Sequence, residues 1–307
     1  MTDGPRGHGR APLRARLPID VDVVNSLRYL RLGRLDPTWG FAANEAVHAA
    51  WTPEGAATLQ IRDLHGEVEV YAHGPGAAWV LPRVADLVGA QDAAPPVLSE
   101  PPLLADLSER FRRVRFVTVP VVLGPLIGVV LQQRVTFEEA SRSWRRLCLA
   151  YGEPAPGPFR LHTPPDPAVL AGLPYETLHP LGVERRRAAL IRALSARGAA
   201  LERLRGMTGE PADAMLRSWP GIGPWTSGML RGFALGDADA VPLGDAHLPN
   251  TVAWALRRVP RADDAAMLRL LEAYRPHRAR VLRWLMLARV SAPRRGPGLR
   301  SGWHPGT

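Results

Sequence analysis

Two hydrophobic periods divide the chain into a β-rich part and a helical part. Between about residues 20 and 91 apolar and polar residues alternate, for example at Val47, Ala49 and Trp51, as in a strand with one buried face. An amphipathic stretch over residues 79–88 then has the spacing of a helix. The first third of the chain is therefore predicted to be a small antiparallel sheet with a helix packed on it.

After a Pro-rich linker over residues 92–103 the period changes to that of helices. The apolar residues from Phe137 to Tyr151 follow helical spacing, and Thr136 with Glu139 has the pattern of a capping box. Further helices are predicted near residues 167–173, 183–204, 210–217, 224–234, 248–258, 263–273 and 276–289. Short helices joined by brief loops are typical of an all-α domain with a groove between two bundles.

The predicted fold class is α+β, with an N-terminal antiparallel sheet domain and helices followed by an all-α core of two lobes. We assign the β-rich domain and its linker to residues 19–103 and the helical core to residues 104–290. Residues 1–18 and 291–307 are rich in Gly, Pro and Arg, which predicts a disordered basic arm at one end and a disordered basic tail at the other.

The net charge and the composition of the chain indicate which class of molecule it binds. The net charge is +10, which favours a polyanion, and all 39 basic residues are arginine. Because the chain has no lysine, no lysine amine is available to form a Schiff base. No apolar run could span a bilayer and the N-terminus lacks a signal-peptide core, so we expect a cytoplasmic protein with no membrane contact.

The cysteine and histidine content predicts that no metal is bound. Cys148 is the only cysteine, which excludes an intramolecular disulfide and any multi-cysteine zinc or iron–sulfur site. The 9 histidines show no metal-binding spacing, and His247 is expected to be structural. We therefore expect no cofactor, apart from a possible site for a monovalent cation described next.

A Gly-rich hairpin over residues 219–223 precedes one of the predicted helices. Gly221 and Gly223 allow a sharp turn, and their amides, with that of Thr226, lie at a helix N-terminus, where N–H groups without helical partners favour a phosphate. The hairpin carbonyls could also hold a monovalent cation. The alternative is a plain turn with no ligand.

A carboxylate, Asp245, follows the hairpin helix and stands at the start of the next one. A fixed carboxylate stabilises positive charge that develops on a sugar when an N-glycosidic bond breaks, or it orients the attacking water. The alternative is that Asp245 only caps its helix. Asp237 and Asp239 are rival acids in the preceding loop.

The hairpin and the carboxylate together resemble a known family. The block WPGIGPWTS at residues 219–227 matches the hairpin of helix–hairpin–helix DNA-binding motifs. With a Gly/Pro-rich loop and Asp245 after it, the chain resembles the helix–hairpin–helix DNA glycosylase superfamily, and most of all bacterial 3-methyladenine DNA glycosylase II of the AlkA type. Segments at residues 130–136, 181–188 and 274–278 resemble that family's ILGQxVS, LG…K/RA and KPWR segments, so the resemblance extends over about residues 20–290.

The resemblance implies a fold and a set of site residues. It implies a TBP-like N-terminal domain and a two-lobe helix–hairpin–helix glycosylase core, with Asp245 as the catalytic acid. The base pocket implied contains Trp225, Gln133, Met229, Trp284 and Tyr29. Core packing is the alternative for each of the aromatic residues.

Two branches of that superfamily differ in the residue at the position of Trp225. Glycosylases that also cut the strand carry a lysine where this chain has Trp225, so the resemblance implies a monofunctional enzyme. Alkylated purines such as 3-methyladenine carry positive charge, and an indole face attracts a cation. Met229 replaces an aromatic residue of the AlkA-type pocket, Asn250 replaces a basic residue, and the segment Val119–Val130 is unusually apolar.

The expected function is a monofunctional glycosylase of base excision repair. Its substrate is expected to be double-stranded DNA containing alkylated bases, and the enzyme is expected to be a monomer. Two alternatives stay open. One is a glycosylase for oxidised or deaminated bases, and the other is a non-catalytic helix–hairpin–helix protein that binds DNA.

Overall fold

A five-stranded antiparallel sheet, in strand order β1-β5-β4-β3-β2, forms the N-terminal part of the molecule. The structure is a computed structural model that describes residues 11–293, so most of both predicted basic arms lies outside the described residues. The strands are β1 (Leu13–Leu17), β2 (Trp39–Phe41), β3 (Glu45–Thr52), β4 (Gly55–Asp63) and β5 (Val68–His73). Leu59 and Ile61 alternate along β4 and are fully buried, as the pattern of a half-buried sheet requires. The predicted α+β class is confirmed.

Strand β1 lies inside the stretch that was predicted to be a disordered arm, and this part of the prediction is wrong. It pairs with β5, and both Arg14 and Arg16 contact the carboxylate of Glu69, Arg16 with an Nη2–Oε1 distance of 3.1 Å. The arginines that suggested a solvated tail therefore meet an acid across the strand pair. Such a contact joins distant residues and cannot be read from local composition.

Short helices cover the sheet. They are α1 (Val23–Leu27), α2 (Ala77–Val80) and α3 (Val84–Leu87), with 3₁₀ turns at Arg28–Leu30 and Leu81–Arg83. The helix predicted over residues 79–88 is thus divided in two, at a turn that contains Pro82. Proline lacks the N–H that a continuous helix would need at this position.

The remainder of the described chain is helical. Its helices are α4 (Pro102–Arg110), α5 (Leu123–Leu131), α6 (Phe137–Tyr151), α7 (Pro167–Gly172), α8 (Tyr175–Leu178), α9 (Arg185–Ala196), α10 (Gly198–Leu201), α11 (Gly209–Arg217), α12 (Pro224–Ala234), α13 (Leu248–Arg257), α14 (Asp264–Leu271) and α15 (Arg278–Leu287). Three further 3₁₀ turns lie at His179–Leu181, Glu202–Leu204 and Glu272–Tyr274. None of the described helices is long and apolar enough to span a membrane.

Two hydrophobic cores divide the helices into two lobes. The first core joins the sheet to α5, α6, α9 and α12, through residues such as Ile127, Trp144 and Leu230. The second core joins α4 to α13, α14 and α15. The loop from α12 to α13 therefore crosses from one lobe to the other, and Asp245 lies in it.

The junction of α5 and α6 places several site residues. The capping box is confirmed, because Glu139 N donates to Thr136 Oγ1 at 3.2 Å and Thr136 N donates to Glu139 Oε2 at 2.9 Å. Helix α5 is buried over most of its length, with Leu126 and Val130 inaccessible to solvent. The unusual apolar character of this segment therefore serves the core of the first lobe.

Candidate active site

The hairpin before α12 is a tight turn that requires glycine. Ile222 N donates to Trp219 O at 3.0 Å, which closes a four-residue turn. Its third residue, Gly221, has φ +95°, and a Cβ placed there would lie 3.1 Å from Leu190 Cδ2. Both the backbone conformation and the neighbouring leucine therefore select glycine.

The amides of this hairpin are available to a ligand. Within residues 11–293, no group accepts a hydrogen bond from the backbone N–H of Gly221, Gly223 or Thr226. Gly223 immediately precedes α12, and no other part of the described chain comes within 4 Å of where its Cβ would stand. N–H groups exposed at a helix N-terminus bind phosphate oxygens well, so the hairpin has the geometry of a phosphate site.

Gln133 supports the hairpin, although the sequence placed it in the base pocket. Its Nε2 donates to Gly221 O at 3.0 Å and to Thr226 Oγ1 at 2.9 Å. The neighbouring Gln132 lines the large cavity described below. The segment after α5 thus contributes to both features, but Gln132 lines the cavity, whereas Gln133, the predicted pocket residue, binds the hairpin.

Asp245 is held by three hydrogen bonds. Its Oδ2 accepts from Trp225 Nε1 at 2.9 Å. Its Oδ1 accepts from the backbone amides of His247 at 2.8 Å and Leu248 at 2.9 Å. Asp245 therefore does cap α13, as the structural alternative proposed, and the same contacts fix its carboxylate beside Trp225. The helix N-terminus also stabilises a negative charge there.

The two rival acids are engaged elsewhere. Asp237 pairs with Arg231 at 2.6 Å, and Asp239 pairs with Arg278 at 2.7 Å. In contrast, no basic side chain of residues 11–293 forms a salt bridge with Asp245. Of the three carboxylates, Asp245 is the one whose charge is not already neutralised by a partner.

Helix α12 carries an aromatic and apolar stripe from Asp245 to a large cavity. Trp225, Met229 and Phe233 are spaced four residues apart, so they lie on one face of the helix. Met229 and Phe233 line a cavity of about 580 Å³, and Trp225 lies one turn closer to the hairpin. Trp225, which was predicted to be a pocket residue, does not line this cavity; it lies at the end of the stripe, hydrogen-bonded to Asp245.

The cavity lies between the sheet and the helices. On the sheet side it is lined by Trp39, Phe41 and His48, and Trp39 and His48 are stacked with ring centroids 3.9 Å apart. Tyr29 lines it where the sequence predicted a wall, and its ring lies 5.6 Å from that of Phe233. Phe233 was missed, although its helical spacing from Met229 was a usable signal.

Trp284 is not part of this cavity, and its assignment to the base pocket is wrong. Its side chain is 1% exposed and lies in the core of the second lobe, among residues such as Leu104, Leu107 and Leu285. Helix α15 contributes to the cavity through Met286 instead. A buried tryptophan at helical spacing has the same local pattern as a pocket wall, so the sequence alone did not separate them.

Apart from Tyr29, five ionisable residues line the cavity, and all five are basic. Four of them are Arg28, Arg31, Arg34 and Arg289, and the fifth is His48. Burial lowers the pKa of His48 to about 4, so its imidazole is neutral at neutral pH. No carboxylate is present among the lining residues of the described chain. Asp36 does not line the cavity. Its buried carboxyl accepts a hydrogen bond from Trp144 Nε1, and burial raises the pKa of this carboxyl.

The described residues provide no metal centre. They include no group of three or more His, Cys, Asp or Glu side chains arranged to hold a metal ion. Cys148 is buried, and burial raises the pKa of its thiol well above the usual value.

A protein-family model matches part of the helical region of the chain. The model of the HhH-GPD superfamily, described as base excision DNA repair protein, matches residues 127–276. The matched range contains the hairpin, Trp225 and Asp245.

A curated relative matches part of the chain. A "probable bifunctional transcriptional activator/DNA repair enzyme AlkA" of Mycobacterium tuberculosis is 33% identical over 125 residues, which are 40% of this chain and 25% of that protein. The chain thus matches about a quarter of the length of this curated relative.

Among solved structures, a 3-methyladenine DNA glycosylase from Archaeoglobus fulgidus has a TM-score of 0.73 and 20% identity, and covers 90% of this chain and 97% of that one. A Clostridium acetobutylicum 8-oxoguanine glycosylase/lyase in complex with double-stranded DNA has a TM-score of 0.66 and 12% identity, and covers 92% of this chain and 97% of that one. These two likenesses show the fold.

Proposed function

We propose that the protein is a monofunctional DNA glycosylase, because residues 127–276 match the model of the HhH-GPD superfamily of base excision DNA repair proteins. Its proposed substrate is double-stranded DNA with alkylated bases of the 3-methyladenine type, and its product is an abasic site. The observation that carries the proposal is the carboxylate of Asp245, fixed by Trp225 at 2.9 Å and not paired with any cation of the described chain.

The hairpin binds the DNA backbone, and the cavity binds the damaged base. The hairpin amides, at Gly221, Gly223 and Thr226, bind a phosphate next to the lesion. The damaged nucleotide leaves the base stack, which costs a few kcal/mol, and enters the cavity beside Met229 and Phe233. The volume of the cavity, about 580 Å³, lies within the range of small-molecule pockets, and its walls are largely aromatic and apolar.

Asp245 acts on the sugar. As the bond between C1′ and the base nitrogen breaks, positive charge develops on the deoxyribose. A carboxylate held in place stabilises that charge or orients the attacking water, and it needs no rearrangement at the moment of reaction. Trp225, which holds Asp245, therefore acts as a positioning residue for the acid.

The absence of strand cleavage follows from the chemistry of residue 225. Cleavage through a Schiff base needs an amine, and this chain has Trp225 at the position in question and no lysine. The bifunctional glycosylase/lyase among the structural neighbours makes this a distinction that has to be tested.

We propose that the enzyme acts as a monomer in the cytoplasm, and that it needs no cofactor. A monovalent cation held by the carbonyls of residues 219–223 would add positive charge beside the bound phosphate. Gly221 O already accepts from Gln133, so the other carbonyls of the hairpin would be its main ligands.

Incubation of the purified protein with methylated duplex DNA tests the proposal. The expected result is release of free alkylated base and an abasic site, with the strand intact until it is treated with alkali. Retained DNA binding without release of any base would instead indicate a non-catalytic binder. A covalent adduct trapped by borohydride would contradict the monofunctional assignment.

A further inference from the structure

We infer that the cavity selects damaged purines that carry no charge over damaged purines that are cations, and that Arg283 sets this preference. The inference rests on the proposed function and names the substrate class of the same site. Cationic bases of the 3-methyladenine type remain substrates, but 1,N⁶-ethenoadenine and hypoxanthine receive the larger acceleration over spontaneous loss of the base.

Arg283 is a buried cation enclosed by aromatic rings. Its side chain is on α15 and the residue is 2% exposed. Its Cζ lies 4.5 Å from the ring centroid of Phe116 and 5.0 Å from those of Tyr29 and Phe233. Its Nη2 donates to Gly232 O at 2.7 Å. The guanidinium therefore sits behind two rings that line the cavity, in contact with both.

The charge of Arg283 is not neutralised by an acid. Within the described chain no carboxylate forms a salt bridge with it, whereas the neighbouring buried Arg280 pairs with Asp92 at 2.5 Å. Its Nη1 is buried without a hydrogen-bond partner. Burial lowers the pKa of Arg283 to about 10, so the group remains a cation at neutral pH.

A cationic base in the cavity would be separated from the charge of Arg283 only by the rings that line the cavity. A ring attracts a cation through its electron-rich faces, and Tyr29 and Phe233 already have Arg283 nearby. A second positive charge stacked on the cavity side of these rings would be repelled, because charges a few ångströms apart interact strongly in a partly buried site. The four arginines that line the cavity add to the repulsion.

The same charges favour departure of a neutral base. When the C1′–N9 bond breaks, its electron pair leaves with the base, so a neutral purine develops negative charge and a cationic purine becomes neutral. Fixed positive groups stabilise only the first of these transition states. For a neutral purine, water supplies hydroxide to C1′ and its proton to the departing base. For a cationic purine, which leaves as a neutral base, water supplies hydroxide to C1′ and its proton passes to the solvent.

The first test uses the unmodified protein. Single-turnover release is measured from duplexes that contain 1,N⁶-ethenoadenine, hypoxanthine or 7-methylguanine, and each rate is divided by the spontaneous rate of loss of that base. The expected acceleration is at least about tenfold greater for the neutral bases, the factor given by one modest charge interaction. A greater acceleration for 7-methylguanine would overturn the inference and leave the proposed function standing. Release of no base would overturn the proposed function itself.

Matched variants test the role of Arg283. In Arg283→Met the stem is kept and the charge is lost, so the neutral-to-cationic ratio should fall about tenfold, while Arg283→Lys should keep the ratio. Thermal denaturation reports whether each variant is folded. If Arg283→Met does not fold, the exposed pair Arg28→Gln with Arg289→Gln serves instead, and the ratio should fall about threefold. An unchanged ratio in folded Arg283→Met would contradict the role of Arg283. An unchanged ratio in the paired glutamine variant would contradict the contribution of the lining arginines.

Discussion

A single side-chain hydrogen bond between Trp225 and Asp245 connects the two lobes at the candidate site. Trp225 is on α12, which packs into the first core, and Asp245 leads into α13, which packs into the second. The indole N–H only donates hydrogen bonds. It therefore fixes one carboxylate oxygen of Asp245 and cannot accept a proton from the acid.

Replacing Trp225 by Phe tests this connection. Trp225→Phe keeps an aromatic ring but removes the donor, and we expect the single-turnover rate to fall about tenfold because Asp245 is less well fixed. The free energy of unfolding should change by about 1 kcal/mol, the net value of one hydrogen bond. Trp79→Phe, on α2, is the matched control and should leave the rate unchanged. A full rate in Trp225→Phe would show that the hydrogen bond does not position the acid.

Some residue roles were accessible from the sequence and others were not. Asp245 and Trp225 follow a local motif, and the structure brings them together. Gln133 acts on Gly221, which is 88 residues away, and no local pattern encodes that contact. Trp284 has the helical spacing of a wall residue but is buried in the other lobe.

Among the elements, the hairpin of residues 219–223 contains one glycine that the fold requires and one that leaves space for a ligand. Its two glycines differ in environment: Gly221 has φ +95° and faces Leu190, while Gly223 has an ordinary φ of −97° and open space around it. The first glycine is therefore required by the fold, and the second leaves room for a ligand.

Two alanine substitutions separate these roles. Gly221→Ala should lower the free energy of unfolding by about 1–3 kcal/mol, because Ala is strained at positive φ. Gly223→Ala should leave stability within about 0.5 kcal/mol of the wild type. It should still weaken DNA binding, because its methyl group occupies the space in which a phosphate approaches the amides. Chemical denaturation and DNA titration at fixed salt measure the two effects. Full DNA affinity in Gly223→Ala would argue against a phosphate at this hairpin.

Elements with a complete local signal were predicted well. The capping box at Thr136 placed the start of α6, and Pro224 after Gly223 marked the start of α12. Helix α4 was missed because it begins at Pro102, inside a stretch that its prolines identified as a linker. Strand β1 was missed because the strand it pairs with, β5, is more than 50 residues away in the sequence.

At the scale of the whole molecule, a residue of the cavity wall makes the stability of the fold depend on pH. His48 lies on β3, lines the cavity, stacks on Trp39 and shares a 3.3 Å hydrogen bond with Thr38 O through Nδ1. Burial lowers its pKa to about 4 from an ordinary value of 6.5. The folded protein therefore disfavours protonation of this histidine relative to the unfolded chain.

The pH dependence of stability follows from that shift. Between pH 6.5 and about 4 the unfolded chain binds a proton at His48 that the folded protein does not, so stability from this residue is full above pH 6.5 and is lost as the pH falls. The loss is about 1.4 kcal/mol per pH unit, or about 2 kcal/mol by about pH 5. His48→Phe should remove this part of the slope in urea denaturation. Parallel slopes for the wild type and His48→Phe would contradict the assignment.

The division of the molecule into lobes was predicted as an architecture but not in its packing. The change of hydrophobic period separates sheet from helices, and it indicates a groove between bundles. It does not reveal that the sheet shares a core with α5, α6 and α12, or that α4 joins α15 across the chain. These contacts depend on side-chain fit between distant elements.

The catalytic role of Asp245 is the central claim, and Asp245→Asn tests it most directly. Asparagine caps a helix about as well as aspartate, so the variant should remain folded and bind damaged duplex DNA with near wild-type affinity. It loses the negative charge, and single-turnover release of a damaged base that the wild type excises should fall by at least about a hundredfold. Release at the wild-type rate by Asp245→Asn would contradict the account.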